Sequence, residues 1–390
     1  MTLLQTHRAL AEARSLGFDI AGVVTRGESE HMAHFRCWLE SGLHGRMDYL
    51  ARADAVTRRA DLDRTLPGFR SALVVAHSYA DDQPATPPIH PSRAIIARYA
   101  RGRDYHHVVG DRLDTLAHRL EVLAGRPLRR RAYVDTGPLL ERELAVRAGL
   151  GWFGRNTMLI HPRRGSYFFL GVLLTDLPLE PSTPFTEDHC GTCRRCLDAC
   201  PTGALLGYDD DGAPVMDATR CISYLTIELR GPIPVELRPA IGNRVYGCDI
   251  CQEVCPWNDR FSAPSGEPAY APRPELDNPS LIDLATRLLE MSGKAFLREY
   301  RDSPVSRARR NGLLRNVCVA LGNWGVQAAV PVLERAMRDN SELVREHAEW
   351  ALRRIAGEGG TGAWPLPDTV QMPGRAGRSG SQPTPSTDSG

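Results

Sequence analysis

Residues 190–201 read Cys190-Gly-Thr-Cys193-Arg-Arg-Cys196-Leu-Asp-Ala-Cys200-Pro201, and residues 248–256 read Cys248-Asp-Ile-Cys251-Gln-Glu-Val-Cys255-Pro256. The first is a complete C-x2-C-x2-C-x3-C-P run; the second is the same run without its leading cysteine. A [4Fe–4S] cluster takes four thiolates, and in two-cluster ferredoxins the cysteine before the proline ligates the other cluster. By that rule Cys190, Cys193, Cys196 and Cys255 hold one cluster. Cys200, Cys248 and Cys251 hold three corners of a second, and Cys221, lying between the runs, is the candidate for the fourth. Structural zinc is the alternative, because C-x2-C pairs also build tetrahedral zinc sites. Zinc has no need of the x3-C-P endings, which let the chain turn away and cross to a neighbouring cluster.

The chain around these runs has 390 residues, which favours two to three domains over a single core. Its 42% hydrophobic and 24% charged content is that of a soluble globular protein. A formal charge of +1 supplies no global pull toward nucleic acid or membrane, so a polyanion must be held by a local basic patch. The start, Met1-Thr-Leu-Leu-Gln-Thr-His-Arg, has no long apolar core or cleavage site, so no secretory signal is expected. No apolar run is long enough to span a bilayer. Thiolate ligands without an export signal point to the reducing cytoplasm. Cys37 and Cys318 are left over; each sits in an apolar-patterned stretch and is expected to be a buried filler.

Up to residue 182 helical and strand patterns alternate, an α/β layout. Leu3, Leu4, Leu10 and Leu16 suggest a first helix, and Leu113, Leu116, Leu120 and Leu123 mark another over 104–124. Strands are expected at 18–24, 72–76, 131–134, 157–161 and 166–174. A ferredoxin-like two-cluster module then occupies 183–262. Residues 278–356 are helical, with one stripe from Leu313 to Leu321 and another from Leu343 to Ile355 that Ser341 is placed to cap. These paired helices resemble a short HEAT-like repeat that must pack on its neighbours. Residues 357–390 are rich in Gly, Pro, Ser and Thr, the composition of a disordered tail.

Clusters carry single electrons, so a plain, non-catalytic iron–sulfur electron carrier is one reading. It leaves the long α/β segment unexplained, and an enzyme holding substrate and a further cofactor beside the clusters accounts for it better. Five further stretches sharpen this: Tyr99-Ala-Arg-Gly-Arg-Asp-Tyr-His106, Val134-Asp-Thr-Gly-Pro-Leu-Leu-Glu-Arg142, Gly149-Leu-Gly-Trp-Phe-Gly154, Cys221-Ile-Ser-Tyr-Leu-Thr-Ile-Glu228 and Gly242-Asn-Arg-Val-Tyr-Gly-Cys-Asp249. Together they resemble the epoxyqueuosine reductase family, over about residues 1–355. The resemblance implies a cobalamin- and iron–sulfur-dependent enzyme, related to reductive dehalogenases, that converts epoxyqueuosine in the tRNA anticodon to queuosine. Cobalamin does not follow from the residues themselves. The base-off corrinoid signature D-x-H-x-x-G is absent, its nearest stretch being Asp104-Tyr-His106-His107-Val-Val-Gly110, so no lower histidine ligand is expected.

The resemblance also implies site residues. Asp135 matches the family's proton donor; an ordinary aspartate is ionised at neutral pH, so that role implies surroundings that raise its pKa. Glu141 and Arg142 are expected to form a structural ion pair. Arg59, beside Arg58, matches a position that contacts the corrin, with Tyr99 and Asn156 as weaker assignments in the same pocket. Ser223, Cys248 and Asp249 are expected at the boundary between cluster and corrin. For tRNA, Arg307, Arg309, Arg310 and Arg315 form a basic stretch without an acid, suited to phosphate. Trp324 and Tyr224 are candidates to stack on anticodon-loop bases. An electron donor such as a flavodoxin or ferredoxin, a monomeric state and no membrane partner complete the expectation. The rivals are a cobalamin-dependent reductive dehalogenase, against which the missing export signal and tyrosine donor speak, and a tRNA-binding electron carrier, which would bind no corrin.

The cluster count is directly testable. Reconstituted protein should bind about eight iron and eight sulfide, four of each per cluster. Cys221→Ala should lose or degrade one cluster while the other survives, as iron analysis and electron paramagnetic resonance (EPR) will report.

Overall fold

The computed structural model describes residues 2–27, 29–82 and 90–357. The expected tail lies, from residue 358 on, outside the described residues. Four strands form the main sheet: β1 (Ile20–Thr25), β2 (Ser71–Ser78), β3 (Arg130–Tyr133) and β4 (Phe168–Thr175). Their order is β1-β2-β4-β3 and every pair is antiparallel. Side chains alternate across a strand, and both faces of the sheet are covered. Leu73, Val75 and Leu173 pack with α1 (Thr2–Ser15) and the long helix Tyr105–Ala124. Ala72, Val74, Val172 and Leu174 pack on the opposite side with Leu144 and Ala145 of the helix Glu141–Arg147. In chain order these helices are α2 (Ala53–Ala60), α3 (Tyr105–Ala124) and α4 (Glu141–Arg147). The Asp104 carboxylate caps α3 by accepting from His106 N at 3.0 Å, and the helix ends at Gly125 in the left-handed region.

The strand expected over 157–161 shrinks to Leu159–Ile160 and leaves the main sheet, pairing instead with Trp152–Phe153. Its partner side chains Trp152 and Ile160 pack on Cys255, so this hairpin faces the cysteine runs. In the turn that follows, Gly165 bridges back to His161 with φ +70, and a Cβ there would lie 2.1 Å from Asn258 Oδ1. Only glycine fits that approach.

Across 183–262 the backbone makes short turns of helix and one hairpin, Leu205–Tyr208 with Pro214–Met216. Helix α5 (Ile222–Ile227) starts directly after Cys221. The C-terminal helices include α6 (Leu281–Glu290), a short helix Gly293–Glu299, α7 (Arg309–Trp324), α8 (Val330–Ala336) and α9 (Glu342–Ile355). Leu313, Leu314, Val317, Cys318 and Leu321 are fully buried, as the stripe implies. Their core also takes in Ile96, Ile227, Val245 and Tyr246, so these helices share it with segments far earlier in the chain. Among the described residues no helix is long and apolar enough to cross a membrane.

Several expectations fail here for stated reasons. Arg315 is fully buried, and its guanidinium donates to the carbonyls of Leu225, Leu229 and Gly231; it has no donor left for phosphate. Arg310 is held by both carboxylate oxygens of Asp339 and by the Leu288 carbonyl. Tyr224 is buried, with its hydroxyl accepting from Arg46 N, yet it lines the cleft described below, and Trp324 is half-buried against the helical core. Cys37 is exposed rather than a buried filler, whereas Cys318 is buried. Ser341 occupies the N-cap position of α9 but its side chain makes no capping hydrogen bond.

Truncating Arg315 would strand three buried carbonyls. Arg315→Ala should therefore lose at least about 3 kcal/mol of stability, measured as a lowered denaturation midpoint, a loss that a phosphate-binding surface arginine would not produce.

Candidate active site

A cleft of about 1730 Å³ is lined by Arg59 of α2, Tyr99, Tyr105 and His106 at the start of α3, Asp135 after β3, Glu141 of α4, Cys221 and Ser223 at α5, Tyr246, and Arg307. Of the expected site residues it gathers Arg59, Tyr99, Asp135, Ser223 and Arg307. It does not gather Asn156, Cys248 or Asp249. Asn156 is buried and donates to the Cys251 carbonyl at 3.3 Å. Asp249 is buried and accepts from Arg98 N at 2.7 Å. Arg59, not Arg58, is the buried one of its pair; its guanidinium lies 5.3 Å from the Phe35 ring centroid, and its Nη1 has no hydrogen-bond partner among the described residues.

Asp135 sits in the left-handed region at φ +60, unusual for a residue with a side chain. Such strain persists where surrounding contacts hold it. Asp135 N donates to Glu141 Oε1 at 2.8 Å, and Tyr105 donates its hydroxyl to Asp135 Oδ2 at 3.0 Å. His106 Nε2 lies 3.7 Å from Asp135 Oδ2, an ion-pair distance, while its Nδ1 lies 2.6 Å from Asp104 Oδ1. The imidazole is stacked on the Tyr105 ring at 4.1 Å. Asp104, His106 and Asp135 thus form a carboxylate–imidazole–carboxylate chain leading into the cleft. The histidine was in a quoted motif, but nothing in its spacing revealed the contact with a residue almost thirty positions away.

The expected upward shift of Asp135 is not what the site produces. Desolvation pulls it upward, but the contact and charge of His106, with Tyr105 and Arg307, hold the carboxyl below the usual aspartate range. The upward shift falls on its neighbours. Burial opposes the charge on His106, yet its contacts with Asp104 and Asp135 raise it to about 9. Burial pushes Glu141 up to about 8, and the Asp135 carboxylate adds to the push. Glu141 and Arg142 make no ion pair; Arg142 donates to the Thr157 carbonyl instead. Arg307 pairs with Glu228 and donates to the Tyr49 hydroxyl at 3.4 Å, at the cleft wall. His107 pairs with Asp302 at 2.9 Å.

The cysteine thiols couple electrostatically in two sets, although among the described residues no group of three or more His, Cys, Asp or Glu stands close enough to hold a metal ion. Burial pushes Cys196 up to about 11, and Cys190, Cys255 and Cys193 add to it. Burial likewise raises Cys251, reinforced by Cys248 and Cys221, and raises Cys221, reinforced by Cys200. Cys196 also acts on Cys251, so the two groups adjoin. Cys221 belongs at once to the second group and to the cleft wall.

Paired thiol groups set against a deep cleft lined by acid–base residues define an iron–sulfur redox enzyme. Residues 189–258 match the 4Fe-4S double cluster binding domain, and residues 59–136 match the family described as Epoxyqueuosine reductase QueG, DUF1730. The epoxyqueuosine reductase of Pseudomonas aeruginosa is 46% identical over 347 residues, covering 87% of this chain and 92% of that protein. A solved selenomethionine-labelled epoxyqueuosine reductase superimposes with a TM-score of 0.78 at 34% identity, over 90% of both chains. A second, solved with an epoxyqueuosine-modified tRNA-Tyr stem loop, gives 0.78 at 32% identity over 90% of this chain and 89% of that one. The chain belongs to the epoxyqueuosine reductase family, whose members are oxidoreductases.

The electrostatics of His106 make a signed prediction. Its pKa is raised in the fold, from 6.5 to about 9. Its contribution to stability is therefore fully present below about pH 6.5 and is lost as pH rises through about 9. A nuclear magnetic resonance titration of the His106 ring should give a value near 9. In Asp104→Asn that value should fall toward or below 6.5.

Proposed function

We propose that this protein reduces epoxyqueuosine at the wobble position of tRNA to queuosine, with base-off cobalamin in the cleft and electrons from the two [4Fe–4S] clusters. The observation that carries the reading is one cleft lined both by Cys221 and by Asp135, His106 and Glu141. Its volume exceeds the roughly 300–1,000 Å³ of ordinary ligand pockets, which suits a corrin together with a nucleoside. The Arg59 Nη1, buried without an acceptor, suits the amide and phosphate oxygens of such a cofactor. When bound, low-valent cobalt supplies the two-electron reduction that protein side chains do not.

The chain's own residues hold and move the protons. Removing the epoxide oxygen as water takes two electrons and two protons. At neutral pH His106 and Glu141 keep their protons while Asp135 is ionised. Asp135, the residue nearest the departing oxygen in this reading, delivers a proton drawn from His106. Asp104 holds the imidazole in line, and Tyr105 fixes the carboxylate through its hydroxyl.

Cys190, Cys193, Cys196 and Cys255 hold the first cluster, and Cys200, Cys221, Cys248 and Cys251 the second, beside the cleft. Residues 1–182 serve as the α/β cobalamin and substrate domain, 183–262 as the ferredoxin-like domain, and 278–356 as a HEAT-like tRNA-binding domain. Arg307 and Arg309 take over the phosphate contacts that Arg310 and Arg315 are not free to make. The protein acts as a cytoplasmic monomer fed by a flavodoxin or ferredoxin.

The test is anaerobic reconstitution with iron, sulfide and cobalamin, followed by mass analysis of tRNA carrying epoxyqueuosine. Loss of one oxygen from the nucleoside is the expected result; unchanged tRNA with loaded cofactors would overturn the reading. Asp135→Asn should slow turnover by roughly 10²–10⁴-fold, the usual worth of general acid catalysis. Corrin and cluster spectra should be unaltered.

A further inference from the structure

We propose that Glu141 is a positioning residue: its side chain latches the backbone of Asp135 and so sets where the Asp135 carboxylate stands in the cleft. The inference rests on the proposed function for the reaction it serves, but not for the geometry. Asp135 N donates to Glu141 Oε1 at 2.8 Å. No backbone carbonyl accepts from that N–H among the described residues. Residues 134–140 belong to no helix or strand, so no backbone ladder shapes this loop.

The conformation at Asp135 is one that needs holding. Thr136 N donates back to the Val134 carbonyl at 2.6 Å, and Asp135, at φ +60, is the middle of that three-residue turn. A turn of this size with positive φ at its centre is the rare and strained kind. Tyr105 and His106 act on the Asp135 carboxylate, not on its main chain. Glu141 ties the main chain itself to a packed element: it opens α4, whose Leu144 and Ala145 are buried beneath the main sheet.

The next residue of α4 makes a parallel contact. Arg142 Nη1 donates to the Thr157 carbonyl at 2.9 Å, and Thr157 stands at φ +62. Asp135 and Thr157 are two of the four non-glycine residues with positive φ among those described, and both line the cleft. Consecutive side chains at the start of one packed helix thus reach both. Sparsely populated backbone persists where its surroundings over-determine it, and at active sites it serves pre-organisation. The latch needs an acceptor oxygen, not a charge; no bond breaks at Glu141 and no proton leaves it in this role.

The test compares Glu141→Met with Glu141→Gln in full-length protein. Both remove the carboxyl, and only glutamine returns a strong acceptor oxygen to the same place. The first readout is a nuclear magnetic resonance titration of the His106 ring, whose Nε2 lies 3.7 Å from Asp135 Oδ2. Once the loop is unlatched that ring loses a neighbouring anion, so it should titrate at least about one pH unit lower in Glu141→Met than in Glu141→Gln, the low end of the effect of an opposite charge at this range. The second readout is turnover of epoxyqueuosine-bearing tRNA by reconstituted protein. A displacement of about 1 Å costs roughly 10²-fold, so kcat should be about that much lower in Glu141→Met than in Glu141→Gln, with KM alike. Equal His106 titrations, or equal kcat values, in the two variants would overturn the inference. So would a Glu141→Met protein that loses its fold while Glu141→Gln keeps it, which would make Glu141 a stabiliser of the structure instead. The ring titration uses neither tRNA nor cofactor. If the unaltered protein fails to reduce the nucleoside, the proposed function falls and the titration still decides the latch.

Discussion

The segment from Cys221 to Cys248 supplies Cys221, Ser223, Glu228 and Tyr246 to the cleft wall, and buried side chains of α7 hold it there. Arg315 gathers the carbonyls of Leu225, Leu229 and Gly231, while Asn316 Nδ2 donates to the carbonyls of Thr226 and Val245. Irregular backbone buried in this way must find donors for its carbonyls. Two adjacent residues of one helix supply them. His347 adds a third tie from α9, its Nε2 accepting from Ile233 N. Burial and nearby Arg238 drive that imidazole down to about 3, so it is neutral and able to accept. The cysteines at either end of the segment inherit their positions from these contacts.

What the amino-acid order disclosed follows from how local each signal is. The cysteine runs announce a double-cluster domain in spacing alone, because ligation to a common cluster restricts how the chain can run. The stripe on α7 was likewise visible, since apolar periodicity acts within one helix. Arg310 and Arg315 misled because a run of arginines looks the same whether its charges meet solvent, a carboxylate such as Asp339, or buried carbonyls. The antiparallel order of the main sheet, and the defection of Leu159–Ile160 to its own hairpin, are tertiary choices with no local signature.

Of the acid–base group only Asp135 was legible; the parts played by His106 and Glu141 were not. A motif pointed to Asp135, and a raised carboxyl pKa somewhere near it follows from the chemistry. The shift resides on Glu141 and His106, because Asp135 has three hydrogen-bonding or charged neighbours, His106, Tyr105 and Arg307, that favour its anion while Glu141 meets that anion. Two carboxyls joined through one backbone N–H are driven apart by the charge they share.

The dependence of the cluster segment on α7 also bears on how the protein is made. Arg315 and Asn316 follow the last cysteine of the second run, Cys255, by some sixty residues. During synthesis every ligand cysteine therefore leaves the ribosome before the side chains that order the loop between Cys221 and Cys248. That loop takes shape only once the C-terminal helices have folded back onto Val245 and Tyr246. A chain cut short before α7 lacks the donors that tie this loop, so its Cys221 and Cys248 ends lose the contacts that hold them in the full fold.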